Sequence, residues 1–157
     1  MAATSLAYSL DPGRIFLNVR GREPDGRVAP GAEYERLRRE LAEALADMRD
    51  PATGEAMVER VYLREELYHG PYAAAAPDLV LAMRDGYDHK GTFGKDHPTY
   101  KGQALVGMHT TPDAPVYIQG LPSYARRSHI TDVAPTLLHL LGVPASADMD
   151  GRTLPPG

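Results

Sequence analysis

Fifteen glycines and 14 prolines punctuate a chain of 157 residues, and this density of breakers limits how long any regular element can run. Such a chain is expected to fold as short elements joined by many turns and long loops. Residues 14–19 (Arg-Ile-Phe-Leu-Asn-Val) read as a short strand, entered through the turn Asp11-Pro12-Gly13. Residues 20–31 are rich in Gly, Pro and charge and read as an irregular loop. The clearest helix is expected over 32–48. There Tyr34, Leu37, Leu41, Leu45 and Met48 recur three or four apart, leaving Arg and Glu to the opposite face. Asp50-Pro51-Ala52-Thr53-Gly54 supplies turn chemistry to end it.

Residues 58–63 form the next expected strand, with Val61 and Leu63 sharing a face. Residues 78–83 (Asp-Leu-Val-Leu-Ala-Met) are nearly continuously apolar, as in a buried sheet strand. Residues 84–102 are Gly- and His-rich without periodicity and read as a surface loop. Residues 104–107 and 115–118 read as two further short strands. A last helix is expected to start with Asp132 as N-cap, placing Pro135 in the first turn. Val133, Leu137, Leu140 and Leu141 would face inward, and Gly142 would stop it. Alternating strands and helices favour an α/β layer architecture in a single domain covering 1–157.

Composition narrows the function classes. An apolar fraction of 43% argues against wholesale disorder, and a compact chain of this length buries roughly 70% of its unfolded surface. The net charge of −4 comes from mixed signs without a basic stripe, which argues against nucleic acid as the partner. The absence of cysteine removes disulfides, thiolate catalysis and Cys-type zinc sites. No apolar run approaches the ~20 residues that cross a bilayer. The first ten residues lack the charge and apolar core of a signal peptide, so the expected location is cytoplasmic, without membrane contact.

Several segments carry a likeness in a fixed order. They are Arg14-Ile15-Phe16-Leu17-Asn18, Gly21-Arg22-Glu23, the Tyr34 helix, Asp50-Pro51-Ala52-Thr53-Gly54, Glu66-Leu67-Tyr68-His69-Gly70 and Ala76-Pro77-Asp78-Leu79. Gly107-Met108-His109, the run from Ile130 to Gly142, and Asp148-Met149-Asp150-Gly151-Arg152 follow. Together these resemble the C-terminal portion of the type I phosphodiesterase/nucleotide pyrophosphatase family, within the alkaline-phosphatase superfamily. The resemblance implies a partial alkaline-phosphatase-like layered α/β fold of short strands and a few helices, lacking the N-terminal part of the sheet. It also implies a two-zinc hydrolase of phosphodiesters or nucleotides. There a Thr or Ser nucleophile attacks phosphorus in line, and water hydrolyses the phospho-enzyme. His109 matches the family's Gly-x-His metal ligand. Met108 departs from the polar or acidic residue common at its position, and Ala114-Pro115 replaces a Gly-led entry to the next strand.

The nucleophile and the other ligands have no match here, so the expectation is a chain inactive alone. One histidine does not hold a catalytic zinc, which takes three protein ligands. A non-catalytic module, docking onto a separate catalytic half or self-associating as a homo-oligomer, is the reading from another class. Its contact is expected at a hydrophobic edge strand, 78–83 or its neighbour. Within the superfamily, a phosphomutase or sulfatase stands as a further alternative.

Blander readings compete at every other candidate. His109 also suits a structural strand-end histidine, and Asp113 would be its only nearby co-ligand. Asp85, Asp88-His89 and Asp96-His97 read as a solvated loop, with substrate contact the alternative. His69, His129 and His139 read as structural or exposed, and Arg126-Arg127 as a solvated pair or an anion contact. The spacing of Gly86 and Gly91 suggests a phosphate loop, but Thr92 stands where its Lys is required. Glu65 and Glu66 point to different faces and make a poor acid/base pair. Asp148 and Asp150 lack the further oxygen ligands of a calcium loop.

Overall fold

A computed structural model describes residues 4–89, 115–119 and 128–154, which fall into two compact units, one within 1–110 and the other within 111–157. The first unit is a mixed α/β structure. Its strands are β1 (Ala7–Tyr8), β2 (Arg14–Leu17), β3 (Val58–Leu63) and β4 (Leu79–Met83). Helix α1 (Ala32–Ala46) joins β2 to β3, and the single turn α2 (Arg64–Leu67) follows β3 directly. A 3₁₀ turn at Ala73–Ala75 precedes β4.

The sheet order is β1-β2-β4-β3, and every pairing is antiparallel. Since β2 and β3 both run against β4, they run parallel to each other. The unit β2-α1-β3 is therefore a crossover split by the later strand β4. The alternating strand–helix order is realised in this split form.

The turn before β2 closes with the Arg14 amide donating to the Asp11 carbonyl at 3.1 Å. β2 ends two residues short of the expected strand. Val19 instead pairs with Val28 across the loop, and the Arg20 amide donates to the Val28 carbonyl at 2.9 Å. This folds the irregular segment back over the sheet end. The resulting core is Leu17, Val19, Val28 and Tyr34, with Leu37 and Leu41 of α1 packed against it.

Helix α1 corrects two expectations. It ends at Ala46, and Met48 is exposed. Its stripe also contains a charge: Arg38 lies one turn after Tyr34 and is only 8% exposed. Glu33 and Glu35 occupy the first turn, where negative charge is favoured by the helix dipole. The turn after α1 is held by Asp50, whose carboxylate accepts from the Ala52 amide at 2.8 Å and whose carbonyl accepts from the Gly54 amide at 2.7 Å.

β4 lies inside the sheet, flanked by β2 and β3, which suits its continuous apolar run. Among the described residues the sheet ends at β1 on one side and at β4's neighbour β3 on the other, and the β3 edge carries charged side chains. A register shift between Val58 and Arg60 marks an irregularity there. Arg60 lies over the Tyr62 ring at 4.4 Å and donates to Glu66 Oε1 at 2.6 Å. Glu66 Oε2 accepts from the Leu63 amide at 2.7 Å, occupying a donor of the strand end.

In the second unit, a 3₁₀ turn at Ile130–Asp132 leads into α3 (Val133–Leu140). Helix α3 stops as expected. Gly142 adopts φ 70°, its amide donates to the His139 carbonyl at 3.0 Å, and the Val143 amide donates to the Leu138 carbonyl at 2.9 Å. This is the paired bonding of a left-handed helix stop, where a side chain would be strained. The expected inward face is not the buried one. Pro135 and Thr136 are buried, whereas Leu137, Leu140 and Leu141 are exposed, Leu141 at 76%. Residues 115–118, expected as a strand, are irregular, and Pro115 has no amide hydrogen to offer a ladder. Among the described residues, no helix is long and apolar enough to cross a membrane.

Candidate functional site

The metal ligand expected from the sequence, His109, lies outside the described residues, as do Asp113, Asp96-His97 and Arg126-Arg127. The described histidines do not gather: His69, His129 and His139 are each exposed. The His89 ring packs against Gly13, and its Nδ1 is buried without a hydrogen-bond partner. Among the described residues, no three His, Asp or Glu side chains are placed to hold a metal ion.

What the described residues do build is a buried polar junction centred on Asp78, which is 0% exposed. This residue stands immediately before β4, so its carboxylate lies at the sheet end where β2, α1 and α2 converge. Oδ2 accepts from the Leu17 amide at 2.7 Å and from Arg22 Nη2 at 2.6 Å. Oδ1 accepts from Arg22 Nη1 at 2.9 Å, from the Tyr34 hydroxyl at 2.7 Å and from Arg64 Nη1 at 3.1 Å. A carboxylate offers about four lone-pair sites, so five donors leave no capacity for a further ligand.

The surrounding charges are used as fully. Arg22 also donates to the Leu17 carbonyl at 2.6 Å and, through Nε, to Glu23 Oε1 at 2.7 Å. Glu23 in turn accepts from the Tyr8 hydroxyl at 3.0 Å and the Val19 amide at 2.7 Å. Arg38 grips Glu65 through two contacts of 2.7 and 2.9 Å, reaches Glu35 at 2.8 Å, and has its Cζ 5.2 Å from the Tyr34 ring centroid. Glu65 and Glu66 thus serve different arginines on different faces.

These contacts set the titration of the junction. Burial by itself would raise the Asp78 carboxyl, but Arg22, the Leu17 amide and Tyr34 outweigh it and hold it below the usual carboxylate range. Burial, followed by the bond to Asp78, pushes the Tyr34 hydroxyl up to about 12. Chemically the arrangement is a framework: an ionised acid locked by two cations, with no free nucleophile or base.

The second unit repeats the logic on a smaller scale. Asp132 Oδ1 accepts from the Arg152 amide at 3.0 Å and Oδ2 from the His129 amide at 2.9 Å. Thr136 Oγ1 donates to the Asp132 carbonyl at 2.6 Å and accepts from the Leu154 amide at 2.9 Å. Asp132 thus precedes α3, as expected, while its side chain serves amides outside the helix. These bonds tie the segment after Gly151 back to the helix start. Gly151 is required there, because a Cβ would overlap the Thr131 carbonyl oxygen. The amides of Arg152 and His129 hold the Asp132 carboxyl below its ordinary range.

The sequence reading missed the chemical use of Arg22, Arg38, Arg64 and Asp78. One signal was present: an Asp joined directly to a fully apolar strand is carried into the interior with it and requires buried donors. No family model matches this chain, and no curated protein or solved structure matches it either.

Proposed function

We propose that the chain is the C-terminal portion of a metal-dependent hydrolase resembling the type I phosphodiesterases and nucleotide pyrophosphatases, with a partial alkaline-phosphatase-like layering. In this reading His109 supplies one zinc ligand, and a catalytic half provides the nucleophile and the remaining ligands. Zinc, when bound, supplies Lewis-acid stabilisation of charge on the phosphoryl oxygens. The role of the described residues is support: they hold the sheet end and the last helix in shape.

The observation that supports this reading is the convergence of the segments that carry the resemblance. Gly21-Arg22-Glu23, Tyr34 and Ala76-Pro77-Asp78 are far apart in sequence, yet their polar groups meet within hydrogen-bonding distance. Asp132, Thr136 and Arg152 do the same in the second unit. Within each unit, motifs that close into a joint support reading them together rather than as scattered coincidences.

The test is hydrolysis of bis-para-nitrophenyl phosphate with added zinc. The chain alone is expected to show no turnover. Mixed with a catalytic half carrying the nucleophile, it is expected to turn over in a manner lost in His109→Ala. Full turnover by that variant would sink the assignment. Zinc-dependent turnover by the chain alone would overturn the incompleteness.

The second reading, a non-catalytic docking or self-associating module, draws support from the exposed apolar side chains along α3. Sedimentation of the purified chain tests its self-associating form: a monomer at every concentration removes the motive for self-association.

A further inference from the structure

We draw no further inference here: the strongest candidate, the exposed apolar patch of Ile130, Leu137, Leu140, Leu141 and Val143 on α3 and its flanking turns, carries nothing because nothing in the structure shows what covers it.

Discussion

A buried carboxylate that serves two guanidiniums, a phenol and an amide fails in a characteristic way when its charge is removed. Asp78→Asn keeps the shape but leaves Arg22 and Arg64 facing a neutral group in a desolvated setting. Breaking one member of such a buried pair costs about 3–5 kcal/mol, which urea unfolding at neutral pH is expected to register. The folded-state titration of Asp78 is depressed, so its contribution is present above the unfolded value of about 3.9 and is lost as pH falls below it. The variant should therefore show a flatter stability profile in acid. Tyr34 gives the opposite window. Its hydroxyl is pushed up to about 12, so its contribution is complete below the unfolded value of about 10 and is lost as pH climbs through the folded one. Tyr34→Phe should cost roughly 1–3 kcal/mol by removing a donor from a buried acceptor, and should abolish that alkaline loss. At this scale the sequence was legible for Tyr34, Leu37 and Leu41, whose spacing marks the packed stripe of α1. It misplaced Arg38 on the solvated face opposite the apolar stripe, because a charged residue reads as exposed until its partners Glu35 and Glu65 are seen.

Between elements, the edge of the sheet is where the sequence reading and the fold part company. An apolar run such as 78–83 suits either an edge or an interior strand, and only pairing decides. β4 took the interior, and β3, an edge strand among the described residues, carries Arg60, Glu66 and the irregularity at Glu59. Exposed ion pairs of this kind contribute about 0–1 kcal/mol, so their value here lies in blocking strand addition. Replacing both Arg60 and Glu66 by Ala should leave the unfolding midpoint nearly unchanged while increasing concentration-dependent self-association in sedimentation. Unchanged sedimentation would remove the guarding role. Helix α3 was located correctly from Asp132 and Gly142 but rotated wrongly. Counting leucines assumes the helix packs through leucine, whereas its buried side is built from Pro135 and the hydrogen-bonding Thr136. Thr136→Val keeps the volume and removes the hydroxyl. It should cost about 1–3 kcal/mol and deprotect the Leu154 amide in hydrogen exchange.

For the molecule as a whole, the longer elements of the first unit were readable, since the turn at Asp11, α1, β3 and β4 lie close to where periodicity and breakers put them. By contrast, β1, α2 and the 3₁₀ turn at Ala73–Ala75 are too short to show a period. The connectivity was not, because strand order depends on which surfaces meet after the chain has returned. For the candidate site the sequence offered one position, His109, which lies outside the described residues. The Asp78 junction, by contrast, joins segments far apart in the chain and leaves no local pattern in any one of them. The order β1-β2-β4-β3 also has a consequence in time. A chain emerging residue by residue from a ribosome can pair β1 with β2 at once, but β3 has no described partner until Leu79–Met83 arrives. Until then Arg22 and Arg64 have only Glu23 and Glu65 as anionic partners, and the place where Asp78 will sit lacks its carboxylate. β4, the last of the described strands, delivers the mortar and the keystone together, so this part of the molecule closes in one late, non-local step.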